Sequence, residues 1–187
     1  SKGSMFSFAR FAAKAPKFTN SFSTSVSAHV KVGDNISSDI VLQKVGPTGT
    51  TAKELFDGKK VVLFAVPGAY TPTCHMKHVP SFLDNAAALK DAGVDTVACV
   101  SVNDAFTMEH WGKSLNAEND IEFIADPMAE FAKALDLTVS WDVLGPFRSQ
   151  RYSMVVDNGT VKMLNVEENS GELNNTGADE VLEFLKK

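Results

Sequence analysis

Two short apolar runs bracket a segment of helical periodicity, and that order leaves few folds open to the chain. Residues 61–66, Val-Val-Leu-Phe-Ala-Val, are continuously apolar and rich in β-branched and aromatic types, as expected of a strand covered on both faces. Residues 96–102, Thr-Val-Ala-Cys-Val-Ser-Val, read the same way. Between them Val79, Phe82, Leu83, Ala86 and Leu89 recur at helical spacing, which predicts a helix over 74–90 and with it a βαβ unit. A helix capped by Asp104 and running through Leu115, a short strand over 122–125 and a helix near 128–135 extend the alternation. Residues 152–157 and 160–165 flank Asn158-Gly159, the strongest short-range hairpin signal, so an antiparallel pair joins the parallel core. The chain closes on a helix bearing Val181, Leu182 and Leu185, with Thr176 to Asp179 as a start resembling a capping box. The class is α/β. At 187 residues, with neither repeat nor linker, one domain accounts for the fold.

The first strand ends in Pro67-Gly68-Ala69-Tyr70-Thr71-Pro72-Thr73-Cys74, which carries a cysteine to the start of the predicted helix. The first N–H groups of a helix lack intrahelical partners and the macrodipole favours negative charge there, so a thiolate at Cys74 is stabilised over a thiol. A reactive cysteine is the leading reading. Cys99, the only other cysteine, sits mid-strand and reads as a buried structural residue. Two cysteines far apart make neither a disulfide framework nor a zinc site, and no Cys-X-X-Cys pair occurs. A reducing compartment fits this usage. His75, His78 and His110 form no ligand constellation with Cys74, so neither metal nor cofactor is implied.

Charge excludes some partners and divides the chain. A formal net charge of -5 and a pI near 5.3 argue against nucleic acid, and no apolar run approaches the ~20 residues of a membrane span. Residues 1–33 nevertheless carry Lys2, Arg10, Lys14, Lys17 and Lys31 without one Asp or Glu. Ser1 to Ser4 read as a cloning remnant ahead of a start at Met5. The following amphipathic, basic and then Ser/Thr-rich stretch matches a mitochondrial transit peptide, the alternative being a disordered basic tail on a cytoplasmic protein. The organisation expected is therefore 1–29 as leader and 30–187 as the folded domain.

Pro67-x-x-x-Thr71-x-x-Cys74 resembles the peroxiredoxin active-site motif. The likeness extends through 62–74, His78-Val79-Pro80, 97–106 and 151–156, and is closest to the type II, or peroxiredoxin-five-like, subfamily across nearly all of 30–187. The resemblance implies a thioredoxin-like fold, a central mixed β-sheet with helices on both faces. It implies thiol-dependent reduction of hydrogen peroxide and organic hydroperoxides by Cys74 through a sulfenic acid, and commonly a homodimer. Arg151 matches the family's active-site arginine, although spacing alone ranks it no higher than Arg148. A fixed guanidinium suits both a thiolate and a peroxide oxygen. The Thr71 hydroxyl can donate to peroxide or sulfur and accept from a peroxide O–H, or cap the helix. Pro67, without an N–H, can wall the site.

His78, one turn beyond Cys74, is expected in support, either as a cation favouring the thiolate or as a hydrogen-bonded brace. His75 is expected to face solvent. Many type II relatives carry a resolving cysteine after the hairpin, yet residues 166–177 contain none. This departure implies a one-cysteine mechanism drawing on glutathione with glutaredoxin, or on thioredoxin, as external reductant. The competing reading is a thioredoxin-like binding or holdase protein switched by oxidation of Cys74, with Phe106, Met108 and Trp111 as candidates for a partner-facing surface.

Overall fold

The computed structural model describes residues 29–45 and 49–187, so the leader read over 1–29 lies, but for His29, outside them. The folded part opens with an antiparallel pair, β1 (Val41–Leu42) and β2 (Thr50–Thr51). It leads into α1 (Ala52–Phe56), whose start is fixed by a reciprocal capping box of Thr51 and Glu54.

The central sheet takes β3 (Lys60–Val66), β4 (Thr96–Ser101), β5 (Glu122–Ala125), β8 (Tyr152–Asp157) and β9 (Thr160–Val166) in the order β5-β4-β3-β8-β9. The first three are parallel, whereas β8 pairs antiparallel with both β3 and β9. The Asn158-Gly159 turn between β8 and β9 has positive φ at both residues, 47° and 79°, the requirement of a type I′ hairpin. The expected mixed sheet of a thioredoxin-like fold is thus present.

Alternation within β3 explains its continuous hydrophobicity. Val62, Phe64 and Val66 pack with Val79 and Phe82 of α2 (Val79–Asp84), Leu89 of α3 (Ala86–Asp91), Met108 and Trp111 of α4 (Ala105–Ser114), and Val181 of α6 (Ala178–Leu185). Val61, Leu63 and Ala65 pack on the opposite face with Leu55 and Phe56 of α1 and Phe131 of α5 (Glu130–Ala134). Each face is apolar because each is covered by helices.

The predicted helix over 74–90 is divided. Pro72 and Thr73 begin it, a π-helical turn follows at Cys74–His78, and α2 continues. In the π-turn the N–H of Val79 donates to the carbonyl of Cys74. Pro80 supplies the reason: it has no N–H for the i−4 carbonyl and its ring crowds that turn, so the helix widens just upstream. A second break falls at Asn85, whose side-chain amide donates to the Ser81 carbonyl at 2.9 Å and competes with helical bonding.

Three more boundaries differ from expectation. α5 begins at Glu130 because the Asp126 carboxylate accepts from the N–H groups of Phe131 and Ala132, with Ala129 at φ 55°. The capping box expected at Thr176 is absent: α6 is capped by Gly177, and the Thr176 hydroxyl is committed to Glu167. Between α5 and β8 runs an antiparallel ribbon, β6 (Thr138–Trp141) and β7 (Gly145–Ser149). Its broken register and half-exposed residues leave no clean strand pattern in the sequence.

Candidate active site

The topology assembles the site. Ala65 of β3 pairs with Tyr152 of β8, so the chain enters β8 at Arg151 just where it leaves β3 at Pro67. Val66 pairs with Ser101 of β4, which brings Asn103 to the same edge. Asn103 Oδ1 accepts from the N–H of Ala69 at 3.0 Å, the Ser101 hydroxyl at 2.8 Å and Arg148 Nη2 at 3.0 Å. Arg148 Nε also donates to the Pro67 carbonyl at 2.7 Å. The loop ahead of Cys74 is therefore clamped from β4 and β7. Gly68 permits this closeness, since a Cβ there would stand 3.2 Å from both Arg148 Nη2 and the Thr71 methyl. Tyr70 takes a positive φ of 62° and stacks against His75.

Cys74 is fully buried, and its sulfur accepts a hydrogen bond from Arg151 Nη2 at 3.3 Å. Arg151 is itself only 1% exposed. Among the described residues no carboxylate lies within ion-pair distance of it. Its other donors are met by neutral acceptors: Nε by the Ser170 carbonyl at 3.1 Å and Nη1 by His78 Nδ1 at 3.0 Å. Among the described residues, the Cys74 sulfur is the one acidic group in hydrogen-bond contact with this buried guanidinium. Of the two arginines left level by spacing, Arg151 contacts the sulfur and Arg148 braces the loop. Burial holds Arg148 below its ordinary pKa, and the charge of Cys74 opposes that shift.

The structure overturns one of the two readings of His78. Arginine can only donate, so His78 Nδ1 is the acceptor and must be unprotonated. Nε2 lies 2.9 Å from the Thr176 carbonyl, which can only accept, so the proton resides on Nε2. The ring is enclosed by Phe64 and Phe82, with centroids at 4.9 and 5.6 Å. Burial first, and then the adjacent Arg151 charge, lowers its pKa from 6.5 to about 3 despite the Thr176 bond. His78 is a neutral brace and not a second cation.

An acid sensitivity follows from this. Below pH 6.5 the unfolded chain takes up a proton at His78 that the folded chain refuses until about pH 3. Stability is therefore full above pH 6.5 and falls as pH drops through that window, by roughly 1.4 kcal/mol per pH unit from this group. Urea unfolding at a series of pH values checks it. His78→Gln should flatten the decline, and an unchanged slope in that variant would remove His78 as its source.

His75 also departs from expectation. It is half-buried and its Nδ1 accepts from the Trp111 indole N–H at 2.9 Å, joining the helix start to α4. Trp111 and Met108 are in the core, which leaves only Phe106 exposed among the three candidate partner-facing residues. The Thr71 hydroxyl donates to the Gly68 carbonyl at 2.9 Å, so in this state it presents lone pairs rather than a hydrogen. Pro67 is buried, and the proline lining the adjoining cavity is Pro72. That cavity, of about 370 Å³, is bounded by Thr71, Pro72, Trp141, Val143, Leu144 and Arg151 among others. Its lining is largely apolar and includes Arg151, while Cys74 lies behind that lining, fully buried. Burial, and then the charge of Cys74, pushes the thiol of Cys99 well up, against the influence of Arg151. This suits an inert core thiol.

Sequence reasoning passed over Arg148 as a clamp and did not find Asn103, Ser170 or Thr176. Asn103 stands beside Asp104, whose capping role was the stronger signal. Ser170 and Thr176 reach Arg151 Nε and His78 through their carbonyls, which leave no mark in the sequence, and their hydroxyls serve partners that only the fold brings near, the Arg151 N–H and Glu167. Among the described residues there is no cluster fit for a metal ion and no helix long and apolar enough to cross a membrane.

A family model described as Redoxin matches residues 13–182. Chloroplastic peroxiredoxin-2E of Arabidopsis thaliana is 44% identical over 177 residues, 89% of this chain and 74% of that protein. Mitochondrial peroxiredoxin-2F of Oryza sativa subsp. japonica is 46% identical over 138 residues, 73% of this chain and 69% of that protein. Among solved structures, reduced Prx3 from Vibrio vulnificus in complex with hydrogen peroxide superposes with a TM-score of 0.79 at 44% identity. The match covers 83% of this chain and 99% of that one.

Proposed function

The chain belongs to the redoxin family as a peroxiredoxin, a thiol-dependent peroxidase, and from that premise we propose how its own residues divide the work. Cys74 is the peroxidatic nucleophile, Arg151 its counter-ion and principal donor, Thr71 the group that orients the peroxide, and Pro67 a buried wall that keeps water from the junction. The observation that carries this reading is the buried contact of Arg151 with the Cys74 sulfur, 3.3 Å, with no competing carboxylate among the described residues.

A peroxide entering along the cavity meets the guanidinium in its lining. The Thr71 oxygen accepts the peroxide O–H and so turns the oxygen to be attacked toward sulfur. The thiolate forms an S–O bond as the O–O bond breaks. Arg151 and nearby backbone N–H groups stabilise charge on the departing oxygen, which leaves as water or an alcohol after taking a proton. Cys74 becomes a sulfenic acid. An external thiol condenses with it to a mixed disulfide and water, and a second thiol restores Cys74 while being oxidised to a disulfide. Hydrogen peroxide and organic hydroperoxides are the substrates, and glutathione with glutaredoxin, or thioredoxin, the reductant.

Cys99 takes no part in this scheme, because its buried thiol stays protonated at a strand centre. Mass spectrometry after one equivalent of hydrogen peroxide tests that: a dimedone adduct is expected on Cys74 and no bridge to Cys99. Appearance of the Cys74–Cys99 disulfide as the main product would refute the one-cysteine mechanism. Turnover with glutathione and glutaredoxin set against thioredoxin identifies the reductant. A homodimer and a mitochondrial location belong to the same proposal, the first from the family resemblance and the second from the acid-free basic leader. The holdase alternative is not favoured by the comparisons, since the relatives are peroxiredoxins.

A further inference from the structure

The segment 166–177, which lacks a resolving cysteine, makes most of the contacts that hold Arg151 and its brace. Ser170 supplies its carbonyl to Arg151 Nε and its hydroxyl to the Arg151 N–H, both at 3.1 Å. Gly171 receives the Thr73 hydroxyl at 2.8 Å, immediately before Cys74. Thr176 gives its carbonyl to His78. One side chain organises the far end of this segment. Glu167 is 4% exposed, and its Oε1 accepts from the N–H groups of Asn174, Asn175 and Thr176 at 2.8, 2.9 and 3.1 Å and from the Thr176 hydroxyl at 2.9 Å. Its own N–H donates to the Arg151 carbonyl at 3.0 Å.

We propose that Glu167 is a positioning residue for the peroxidase reaction, acting through Thr176 and His78 to set where the Arg151 guanidinium points. The chain of constraint runs through groups with one possible hydrogen-bond role each. The Glu167 carboxylate can only accept, so the three N–H groups of 174–176 converge on it and the turn is drawn tight. That fixes the Thr176 carbonyl, which can only accept and so keeps the His78 proton on Nε2. His78 Nδ1 is then an acceptor, and Arg151 Nη1 donates to it. With Nη1 and Nε both held, Nη2 is left aimed at the Cys74 sulfur. Were Thr176 free, His78 could carry its proton on Nδ1, and that N–H would confront the Arg151 donor.

The proposal rests on Cys74 as nucleophile, and its test keeps the two apart. Single-turnover kinetics with hydrogen peroxide are compared in wild type, Glu167→Gln and Glu167→Ala, alongside nitrogen-15 NMR of the histidine rings. Wild type is expected to show His78 purely as the Nε2–H tautomer at neutral pH. Glu167→Gln, whose amide oxygen accepts the same donors, should keep that tautomer and nearly all of the rate. Glu167→Ala should mix the tautomers and slow the peroxide step by roughly 10- to 100-fold, in line with loss of supporting contacts around a reactive group. A folded Glu167→Ala with wild-type rate, or with an unmixed Nε2–H tautomer, contradicts the proposal. So does Glu167→Gln falling as far as alanine, which would assign the effect to charge alone. If the alanine variant does not fold, a wild-type His78 found protonated on Nδ1 overturns it independently. Failure of Cys74 as nucleophile would show differently, as peroxide consumption that survives Cys74→Ser.

Discussion

Cys74→Ser is expected to lower peroxide consumption on the order of 10⁴-fold or more, to the background of the buffer, because the nucleophile is lost while the fold remains. A serine hydroxyl has the same shape but stays protonated at neutral pH, and no base adjoins it: His78 Nδ1 is already taken by Arg151. Cys99→Ala serves as the control. It should retain the peroxide rate and lose about 1 kcal/mol of stability from the small void left in the apolar strand. Stopped-flow measurement with hydrogen peroxide separates the two. Equal losses in both variants would require a mechanism that uses both sulfurs.

Arg151→Met should slow attack on peroxide by roughly 10²–10³-fold, the range seen when one donor to a developing charge is removed. The expected effect on folding is smaller. Removing one member of a buried ion pair is costly when the other charge stays behind, but here the Cys74 sulfur can take up a proton once the guanidinium is gone, so both charges and their desolvation penalties disappear together. Here the exchange also leaves the Ser170 carbonyl and His78 Nδ1 without their donor, which works the other way. Activity and stability therefore part company in this variant, and denaturant unfolding beside the kinetics checks it. Arg151→Lys should recover little, because one ammonium cannot satisfy His78, Ser170 and the Cys74 sulfur in the fork geometry that guanidinium provides.

Much of this was legible in the sequence, for a physical reason. The strands of the core are buried on both faces, so their composition announced them, and Asn158-Gly159 fixed the hairpin that delivers Arg151 to the site. The Pro67 to Cys74 loop also declared itself, because proline, glycine and threonine act through local backbone chemistry. The undetected part depends on contacts between distant segments. Nothing near position 78 indicates that Phe64 and Phe82 enclose the imidazole or that Arg151 faces it, and those neighbours decide that it is neutral. The ribbon of β6 and β7 was hidden because half-exposed residues weaken alternation. Pro80 is plain in the sequence, but hydrophobic periodicity carries no mark of the π-turn that it imposes just upstream. Segment 166–177 read as an absence of cysteine. In the structure it is the cradle of the arginine.

The proposed mechanism requires that an ionised sulfur at Cys74 balance the buried Arg151 charge. Ultraviolet absorbance of the thiolate in the reduced protein at neutral pH measures this directly, with Cys74→Ser as the blank. The account predicts a thiolate signal in wild type and in Cys99→Ala that is largely lost in folded Arg151→Met. A wild-type spectrum indistinguishable from that of Cys74→Ser, or a signal undiminished in Arg151→Met, would contradict it.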